Sequence, residues 1–467
     1  MREGALLAVL CVPLLLVLAA LLWRSGLTIS LNANEGWNAY WASAAAHGDR
    51  LYPAPWDLRT NNYPPLSFIL VGLMTKAGAG PIMAGRVIAW ISFLSVAALI
   101  GRILRQMGND RIAAATGSIL FLAFVATQYT NYVGVDDPQM LAHAVMCGAL
   151  LMLVGNPDDR RLFFAALLMA AGLFIKHNLI ALPIAATLWL ATSNRRHAAI
   201  FAGTLAMAGL TGLVLCRIAY GPDFVSSLLS PRVTSFERAH RLLEIWLAPM
   251  LIPLGLTAAL TTVPLRDRYV SFIVIYAGTA LLVGALSATG DGVSYSCMFE
   301  LVIAFSLGTG HLLGRLRAAG APEPLRLYAM VALGASSLFW ASTQIPHDVL
   351  RVRPWIRDER AEAVLTRETV ERIAERPRPA LCQTLAVCYW AGKPFAADIF
   401  SINEAIHRGQ KSADVLATPI AARLFSSVQI DPDGGYSYVM LPSEALAALR
   451  RNYRLDAVGA GEVYVPR

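Results

Sequence analysis

Four groups of polar side chains stand at the ends of apolar segments, where they are placed to do chemistry. In chain order they are Glu35, Asp136-Asp137, Lys176-His177-Asn178 and Asp291. Ionisable groups at membrane depth are energetically costly, which makes them functional candidates. The topology derived below places all four groups on the same side of a membrane. This convergence predicts one site rather than four scattered polar positions.

The stretch at 32–65 contains the first of these groups and is too long for a simple connector. Glu35 stands in it beside Trp37 and Tyr40, and Tyr63 precedes two prolines near its end. Loops beyond about 12–15 residues tend to be functional or disordered, and this one is too aromatic for disorder. Because Trp and Tyr favour the membrane–water interface, we predict that it folds on the membrane surface. We further predict that Glu35 is the reactive group of a membrane enzyme.

Composition identifies the protein class. The 467 residues are 56% hydrophobic and 15% charged, with a mean hydropathy of +0.52. Soluble domains average about 25% charged residues, so repeated apolar runs of about 20 residues indicate a polytopic helical membrane protein. The net charge of +8 comes largely from arginines in short loops between these runs. Topology and anionic lipid explain that charge, and nucleic acid is not expected as a partner.

About eleven transmembrane helices are predicted. The first is at 4–23, which exceeds the usual length of a signal-peptide core, and 66–77 is predicted to be a short interfacial helix. The further candidates are 82–104, 112–130, 138–154, 162–177, 179–193, 198–219, 246–264, 269–288, 298–314 and 325–342. Arginines concentrate in alternate short loops, whereas the turns at 131–137 and 289–296 have none. This bias places the amino terminus in the cytoplasm and the four polar groups on the outer face.

The composition changes near residue 345, which predicts a second domain. We expect residues 1–344 to form the transmembrane catalytic domain, with its first outer loop at 24–81 carrying interfacial helices. Residues 345–467 are expected to form a small α/β domain outside the cytoplasm. There Cys382 and Cys388 form either a disulfide, which an oxidising compartment permits, or two half-buried free thiols.

Each candidate also has a structural interpretation. Asp136-Asp137-Pro138 is equally the start of a helix, with aspartate capping it. Lys176 is able to reach the interface along its aliphatic stem, and His177 is more often a packed histidine than a ligand. Arg86, at the outer end of its span, either meets a lipid phosphate or anchors the helix.

Taken together, these motifs resemble those of the GT-C superfamily of integral-membrane glycosyltransferases. The closest resemblance is to the lipid A aminoarabinose transferases and protein O-mannosyltransferases. It covers roughly residues 1–345 and rests on Glu35, Tyr40, Gly48, Leu51, Tyr52, Tyr63, Pro64, Pro65, Arg86, Asp136, Asp137, Pro138 and Lys176. One departure is Asn34, where relatives often have an acidic residue before the glutamate. The resemblance implies a GT-C-like helical fold and transfer of a sugar from a polyprenyl-phosphate donor to a glycan, lipid or protein acceptor.

The chemistry of that reaction suits the candidates. Glu35 is the predicted general base for the acceptor. The departing phosphate needs positive charge, from Lys176 or Arg86, or from a divalent metal ion held by Asp136 and Asp137. The remaining predicted substrate contacts are Trp37, Tyr40, Tyr63, His177, Asn178 and Asp291.

A bacterial-type cytoplasmic membrane, with the site facing the cell envelope and its lipopolysaccharide, is the expected location. A transporter or flippase of lipid-linked sugars is the alternative. The large aromatic loop and the one-sided acidic groups argue against it, because transporter sites lie near the membrane midplane between repeats. The sequence leaves the sugar, the acceptor and the oligomeric state open.

Overall fold

The structure, a computed structural model, describes residues 2–262, 267–328, 330–331, 352–377, 379–432 and 440–467. The predicted span at 325–342 and the predicted boundary at 345 lie largely outside these residues. The described helices of the amino-terminal part are α1 (Arg2–Ser25), α2 (Asn34–His47), α3 (Leu66–Lys76), α4 (Pro81–Gln106), α5 (Arg111–Gln128), α6 (Gln139–Leu153), α7 (Asp159–Ile175), α8 (Ala181–Ser193), α9 (Arg195–Tyr220), α10 (Asp223–Leu228), α11 (Phe236–Leu247), α12 (Leu251–Ala258), α13 (Arg268–Ser287) and α14 (Phe299–Ala318).

Seven helical segments in the described part of the chain are long and apolar enough to cross a membrane. They are Arg2–Ser25, Pro81–Gln106, Arg111–Gln128, Arg195–Tyr220, Phe236–Thr262, Arg268–Ser287 and Tyr295–Ala318. Three shorter apolar helices, α3, α6 and α8, accompany them. The predicted polytopic helical fold is confirmed, and the number eleven stays a prediction. The last of the seven is buried on all sides, as expected of a helix at the centre of a bundle.

Local sequence explains several helix starts. The Asp110 carboxylate accepts hydrogen bonds from the first amides of α5, and Asp158 and Asn194 do the same for α7 and α9. One boundary differs from the sequence prediction, since the span expected at 246–264 begins earlier and is divided into α11 and α12. Pro249 lies in the 3-10 turn between them, where its missing N–H interrupts the helical hydrogen bonds.

The carboxy-terminal residues form the predicted small domain of helices and strands. Its elements are α15 (Val352–Ala374), β1 (Ala380–Cys382), α16 (Leu385–Trp390), α17 (Ile399–His407), α18 (Asp414–Ala421), β2 (Ser427–Ile430), α19 (Ser443–Asn452), β3 (Tyr453–Gly459) and β4 (Gly461–Pro466). The strand order is β1-β2-β4-β3, with β1 and β2 parallel and the other neighbours antiparallel. The sheet and the helices packed on it form a hydrophobic core of their own.

The small domain sits directly on the opening loop of the amino-terminal part. Helix α2 packs against α16, and a Cβ at Gly36 would collide with the backbone of Ala386. The Tyr40 hydroxyl donates to the Lys393 carbonyl oxygen at 2.8 Å, and its ring stacks on Phe395. The opening loop is thus enclosed between the helical bundle and the small domain.

Cys382 and Cys388 are joined by a disulfide, the first of the two alternatives open from the sequence. Cys11, Cys147, Cys216 and Cys297 are free.

We therefore expect a maleimide reagent to label four of six cysteines in the unfolded, unreduced protein, and all six after reduction. Mass spectrometry counts the labels. Because the closed loop is short, Cys388→Ser should lower the free energy of unfolding by only about 2 kcal/mol. Labelling of six thiols without reductant would contradict the bond.

Candidate active site

The first residue of the site is Glu35, which lies in the first turn of α2 and is completely buried. Its Oε1 accepts hydrogen bonds from Arg86 Nε at 2.8 Å and from the Asp136 amide at 3.1 Å. Its Oε2 accepts from Arg86 Nη2 at 2.7 Å and from the Leu31 amide at 2.8 Å. A carboxylate offers about four lone-pair positions, so four donors occupy the acceptor capacity of Glu35.

Arg86, near the start of α4, is equally engaged. Besides Glu35, it donates from Nη1 to the carbonyl oxygens of Ser25 and Leu27, and from Nη2 to that of Ile29, at 2.6–2.9 Å. A guanidinium has five N–H groups, and these contacts use all five. The Glu35–Arg86 pair therefore fastens the end of α1, the opening loop and α4 together, and leaves Arg86 no N–H for a phosphate in this conformation.

Asp136 lies next to that pair, in the loop between α5 and α6. Its amide donates to Glu35, and its carbonyl oxygen accepts from Asn38 Nδ2 at 2.7 Å. Its carboxyl group lies against Gly85 on α4, which has no room for a Cβ. Burial, and then the negative charges of Glu35 and Asp137, raise the pKa of the Asp136 carboxyl well above its usual range.

Asp136→Asn is expected to leave stability at pH 5 nearly unchanged, within about 1 kcal/mol. A raised folded-state pKa means that ionisation of Asp136 lowers stability as pH rises above the unfolded value near 4. Asparagine imitates the protonated acid and avoids that loss. Thermal unfolding of both proteins between pH 5 and pH 8 tests this, and the variant should lose less stability than the parent as pH rises. A large loss at pH 5 would contradict a protonated Asp136.

Asp137 and Lys176 form a second buried ion pair, 2.9 Å between Oδ1 and Nζ. Lys176 follows the last residue of α7, at the tip of the α7–α8 hairpin. Its ammonium group lies 4.9 Å from the ring centroid of Tyr63. Asp137 Oδ1 also accepts the Gln139 amide at the start of α6. The aspartate therefore accepts hydrogen bonds from both the first amide of α6 and the Lys176 ammonium, while Pro138 is the N-cap residue.

Four polar atoms in the described part of the chain converge on a narrow cleft between α2, α3, α4 and α6. They are Asn38 Oδ1, Ser67 Oγ, Asp136 Oδ2 and Asp137 Oδ2, all buried and without a hydrogen-bond partner there. The cleft measures about 20 Å³, which is room for one water molecule or ion. Buried polar atoms normally have partners, so this cleft is suited to a small polar or cationic guest.

The predicted metal site is partly compatible with this geometry. The described residues contain no group of three or more His, Cys, Asp or Glu side chains placed to hold a metal ion. Asp136 and Asp137 nevertheless each present one unpartnered oxygen to the cleft. Magnesium is commonly bound by one or two carboxylates together with water and substrate phosphate. These two residues therefore fit a metal site whose remaining ligands would be water and the phosphate of the substrate.

A larger cavity of about 110 Å³ lies where the opening loop, the bundle and the small domain meet. The predicted residues Trp37 and Tyr63 line it, with their ring centroids 4.9 Å apart. Tyr63, on whose ring Lys176 lies, connects this cavity to the buried ion pair. The small domain contributes Cys382, Gln383, Leu385, Asp398, Ile399, Phe400 and Ser401 to the wall.

Four other predicted residues lie outside this lining. Tyr40 holds the small domain to α2, as described above. His177 Nδ1 and Asn178 Oδ1 are buried next to Lys176, without a partner in the described ranges. The Asp291 carboxylate is paired with Arg238 instead of facing the cavity. Its neighbour Gly292 does line the cavity.

Sequence reasoning missed several cavity residues. Tyr132 and Arg232 are the clearest cases: Tyr132 belongs to the polar run before Asp136, and Arg232 to the long segment between α9 and α11. For Tyr132, the position four residues before Asp136, a predicted site residue, was a signal that could have identified it. The small-domain residues gave none, because their place at the cavity depends on how the domain packs on α2.

Comparison with known proteins shows what this chain is similar to. The sequence profile of the family described as "Dolichyl-phosphate-mannose-protein mannosyltransferase" matches residues 62–220. No curated protein sequence matches the chain.

Solved structures match over nearly the whole chain. ArnT from Cupriavidus metallidurans in the apo state has a TM-score of 0.65 and 13% identity, and covers 97% of both chains. The same protein bound to undecaprenyl phosphate has a TM-score of 0.63, 12% identity and the same coverage.

Archaeal proteins match over a shorter part of their own length. AglB from Archaeoglobus fulgidus, in complex with an inhibitory peptide and a dolichol-phosphate, has a TM-score of 0.50 and 12% identity. The match covers 100% of this chain and 74% of that one. An oligosaccharyltransferase from the same organism, in complex with Zn and sulfate, has a TM-score of 0.54, 10% identity and coverages of 97% and 73%.

These findings confirm the predicted resemblance to the GT-C superfamily and its aminoarabinose transferase and O-mannosyltransferase group. The family match and the shared fold also support the prediction of a glycosyltransferase enzyme. The individual site residues stay predictions.

Proposed function

We propose that this chain, which has the fold of the GT-C membrane glycosyltransferases, transfers a sugar from a polyprenyl-phosphate donor to an acceptor on the outer face of the membrane. The observation that carries the proposal is the buried Asp137–Lys176 pair behind Tyr63, at an aromatic cavity between the bundle and the small domain. The undecaprenyl phosphate and dolichol-phosphate of the similar structures support the donor class. The arginine distribution supports the outer face, and the similarity to ArnT from Cupriavidus metallidurans supports a bacterial-type cytoplasmic membrane.

Lys176 is the proposed ligand of the donor phosphate. In the reaction, the acceptor oxygen forms a bond to the anomeric carbon while the bond from that carbon to the phosphate oxygen breaks. The electron pair of the broken bond passes to the phosphate, whose added negative charge the Lys176 ammonium stabilises. Arg86, the other predicted phosphate ligand, has all five N–H groups engaged, which favours Lys176 for this role.

Asp137 is the proposed general base. The acceptor must lose a proton as its oxygen attacks, and Asp137 Oδ2 is a carboxylate oxygen without a hydrogen-bond partner in the described residues. Glu35, the base expected from the sequence, accepts four hydrogen bonds. This geometry favours a positioning role for Glu35, which holds the Asp136 backbone and so the loop that carries Asp137.

The aromatic cavity is the proposed sugar site. Trp37 and Tyr63 offer ring faces and edges to the apolar faces of a pyranose, and the Trp37 indole is held by a 3.0 Å hydrogen bond to the Thr60 carbonyl oxygen. A divalent ion, when bound, would be held by Asp136 and Asp137 and would add positive charge near the donor phosphate.

The test compares lipid and glycan mass profiles of cells with the protein, without it, and with Asp137→Asn. We expect a product one sugar residue heavier than its precursor only with the unsubstituted protein, and accumulation of unmodified acceptor in the other two. Glu444→Gln, an acidic residue on α19 far along the chain from the site, is the matched control and should retain the product. Unchanged product formation in Asp137→Asn would remove the assigned base.

The same profiles address the alternative of a transporter of lipid-linked sugars. Such a protein would change the amount of several downstream glycans without forming a new linkage itself. Purified protein with donor and extracted acceptor resolves the two, because only a transferase releases free polyprenyl phosphate in detergent, where no membrane separates two compartments.

A further inference from the structure

A second cavity, of about 410 Å³, lies beside the aromatic cavity, and neither Asp137 nor Lys176 lines it. The two cavities have wall residues in common, namely Asn62, Arg232, Phe400 and Ser401. Its wall is formed by the opening loop, the end of α10 with the segment that follows it, and α17 with the turn that follows it. Because these four residues belong to both walls, the two cavities adjoin each other.

The lining of this cavity is strongly basic. Arg59, Arg232, Arg408 and Lys411 contribute four positive charges, and Glu404 contributes the one negative charge. We call this cavity the basic groove. One of the cations, Arg59, is paired with Asp57 at 2.6 Å.

Arg408 and Lys411 have no carboxylate ion pair within the ranges that the structure describes. Arg408 donates from Nε to the Glu404 carbonyl oxygen at 3.1 Å, and its Nη1 is buried without a partner there. Lys411 Nζ donates to the carbonyl oxygens of Pro55 and Asp57 at 3.2 and 3.1 Å. Carbonyl oxygens hold these side chains in place without neutralising their charge, so the groove is preorganised for an anion.

We propose that the basic groove binds an anionic group, a phosphate or carboxylate, of the acceptor and so directs the acceptor hydroxyl into the aromatic cavity. This inference rests on the proposed function, because only a transferase has an acceptor. The chemistry supports it because the planar guanidinium of arginine matches the oxygen geometry of phosphate and carboxylate. Such a group is carried either by a lipid headgroup or by a soluble glycan.

The test measures binding of glucose 1-phosphate and of glucose by calorimetry to the full chain in phosphatidylcholine nanodiscs. We expect glucose 1-phosphate to bind in a salt-sensitive manner and glucose to bind at least tenfold more weakly. The double variant Arg408→Gln/Lys411→Gln should weaken phosphate binding at least tenfold. Its matched control, Arg450→Gln/Arg454→Gln, removes two exposed positive charges elsewhere on the small domain and should bind as the parent does.

Lys176→Met separates the groove from the proposed donor site. Binding that survives Lys176→Met and is lost in the groove variant supports the proposal, even if no transferase product is found. Binding that is lost only in Lys176→Met, or that is equal in the groove variant and the parent, overturns it.

Repeating the titration in phosphatidylglycerol nanodiscs distinguishes the source of the anion. Competition that weakens glucose 1-phosphate binding to the parent, but not residual binding to the groove variant, identifies a lipid headgroup as an occupant. Equal affinity in both lipids identifies a soluble anionic group.

Discussion

Glu35→Gln is expected to lower the free energy of unfolding by about 3–5 kcal/mol, the range found when one partner of a buried ion pair is removed. The Arg86 guanidinium would remain buried, with three carbonyl oxygens but no opposing charge. The glutamine amide can replace only part of the four hydrogen bonds that the carboxylate accepts. Thermal unfolding of the purified protein in detergent measures the change.

A matched acid in an exposed ion pair provides the control. Asp159 is paired with Arg196, and both side chains are at least half exposed. Exposed pairs contribute about 0–1 kcal/mol, so Asp159→Asn should unfold close to the parent. If Glu35→Gln unfolded like the parent but transferred no sugar, Glu35 would be the general base that the sequence suggested and the positioning role would be wrong.

The sequence was sufficient to predict most of the helices and three of the four polar groups that meet, Asp291 being the exception. Apolar length and arginine bias indicated the spans, and α7 and α8 lie where the spans at 162–177 and 179–193 were expected, with Lys176 between them. The interpretation of Asp136-Asp137-Pro138 as a helix start was also correct in part: Asp137 Oδ1 accepts the Gln139 amide, although the N-cap residue is Pro138. Such features depend on neighbouring residues in the chain, which a sequence displays directly.

The sequence did not predict which acidic residue pairs with which basic residue. Glu35 and Arg86 are 51 residues apart, and the amide that completes the Glu35 shell belongs to Asp136, 101 residues away. Arg86 was expected to anchor its helix or meet a lipid phosphate, and neither alternative included a carboxylate partner. Which acid pairs with which cation depends on how α2, α4 and the α5–α6 loop pack, and residue type does not encode that choice.

Tyr40 illustrates the same limit. A tyrosine near a catalytic acid suggested a sugar contact, yet its hydroxyl and ring are occupied by Lys393 and Phe395 of the small domain. The partners follow more than 350 residues later. Interface anchoring, substrate stacking and domain docking all use the same amphipathic ring, so only the packed structure separates them.

Lys176→Met is expected to lower the rate of sugar transfer by about 10²–10³, the usual loss when one group that stabilises transition-state charge is removed. The departing phosphate would gain negative charge without an ammonium group beside it. Single-turnover transfer by the purified protein, at saturating donor, measures the step directly. Lys176→Arg retains the charge and should recover part of the rate.

Stability must be separated from chemistry in this variant, because Lys176→Met also leaves Asp137 buried without its cation. The double variant Asp137→Asn/Lys176→Met removes both charges and should recover most of the unfolding temperature lost by the single variant, since a neutral buried pair lacks the uncompensated charge. It should remain inactive, because the proposed phosphate ligand and base are both absent. Transfer at the parental rate by Lys176→Met would place the phosphate elsewhere and remove Lys176 from the reaction.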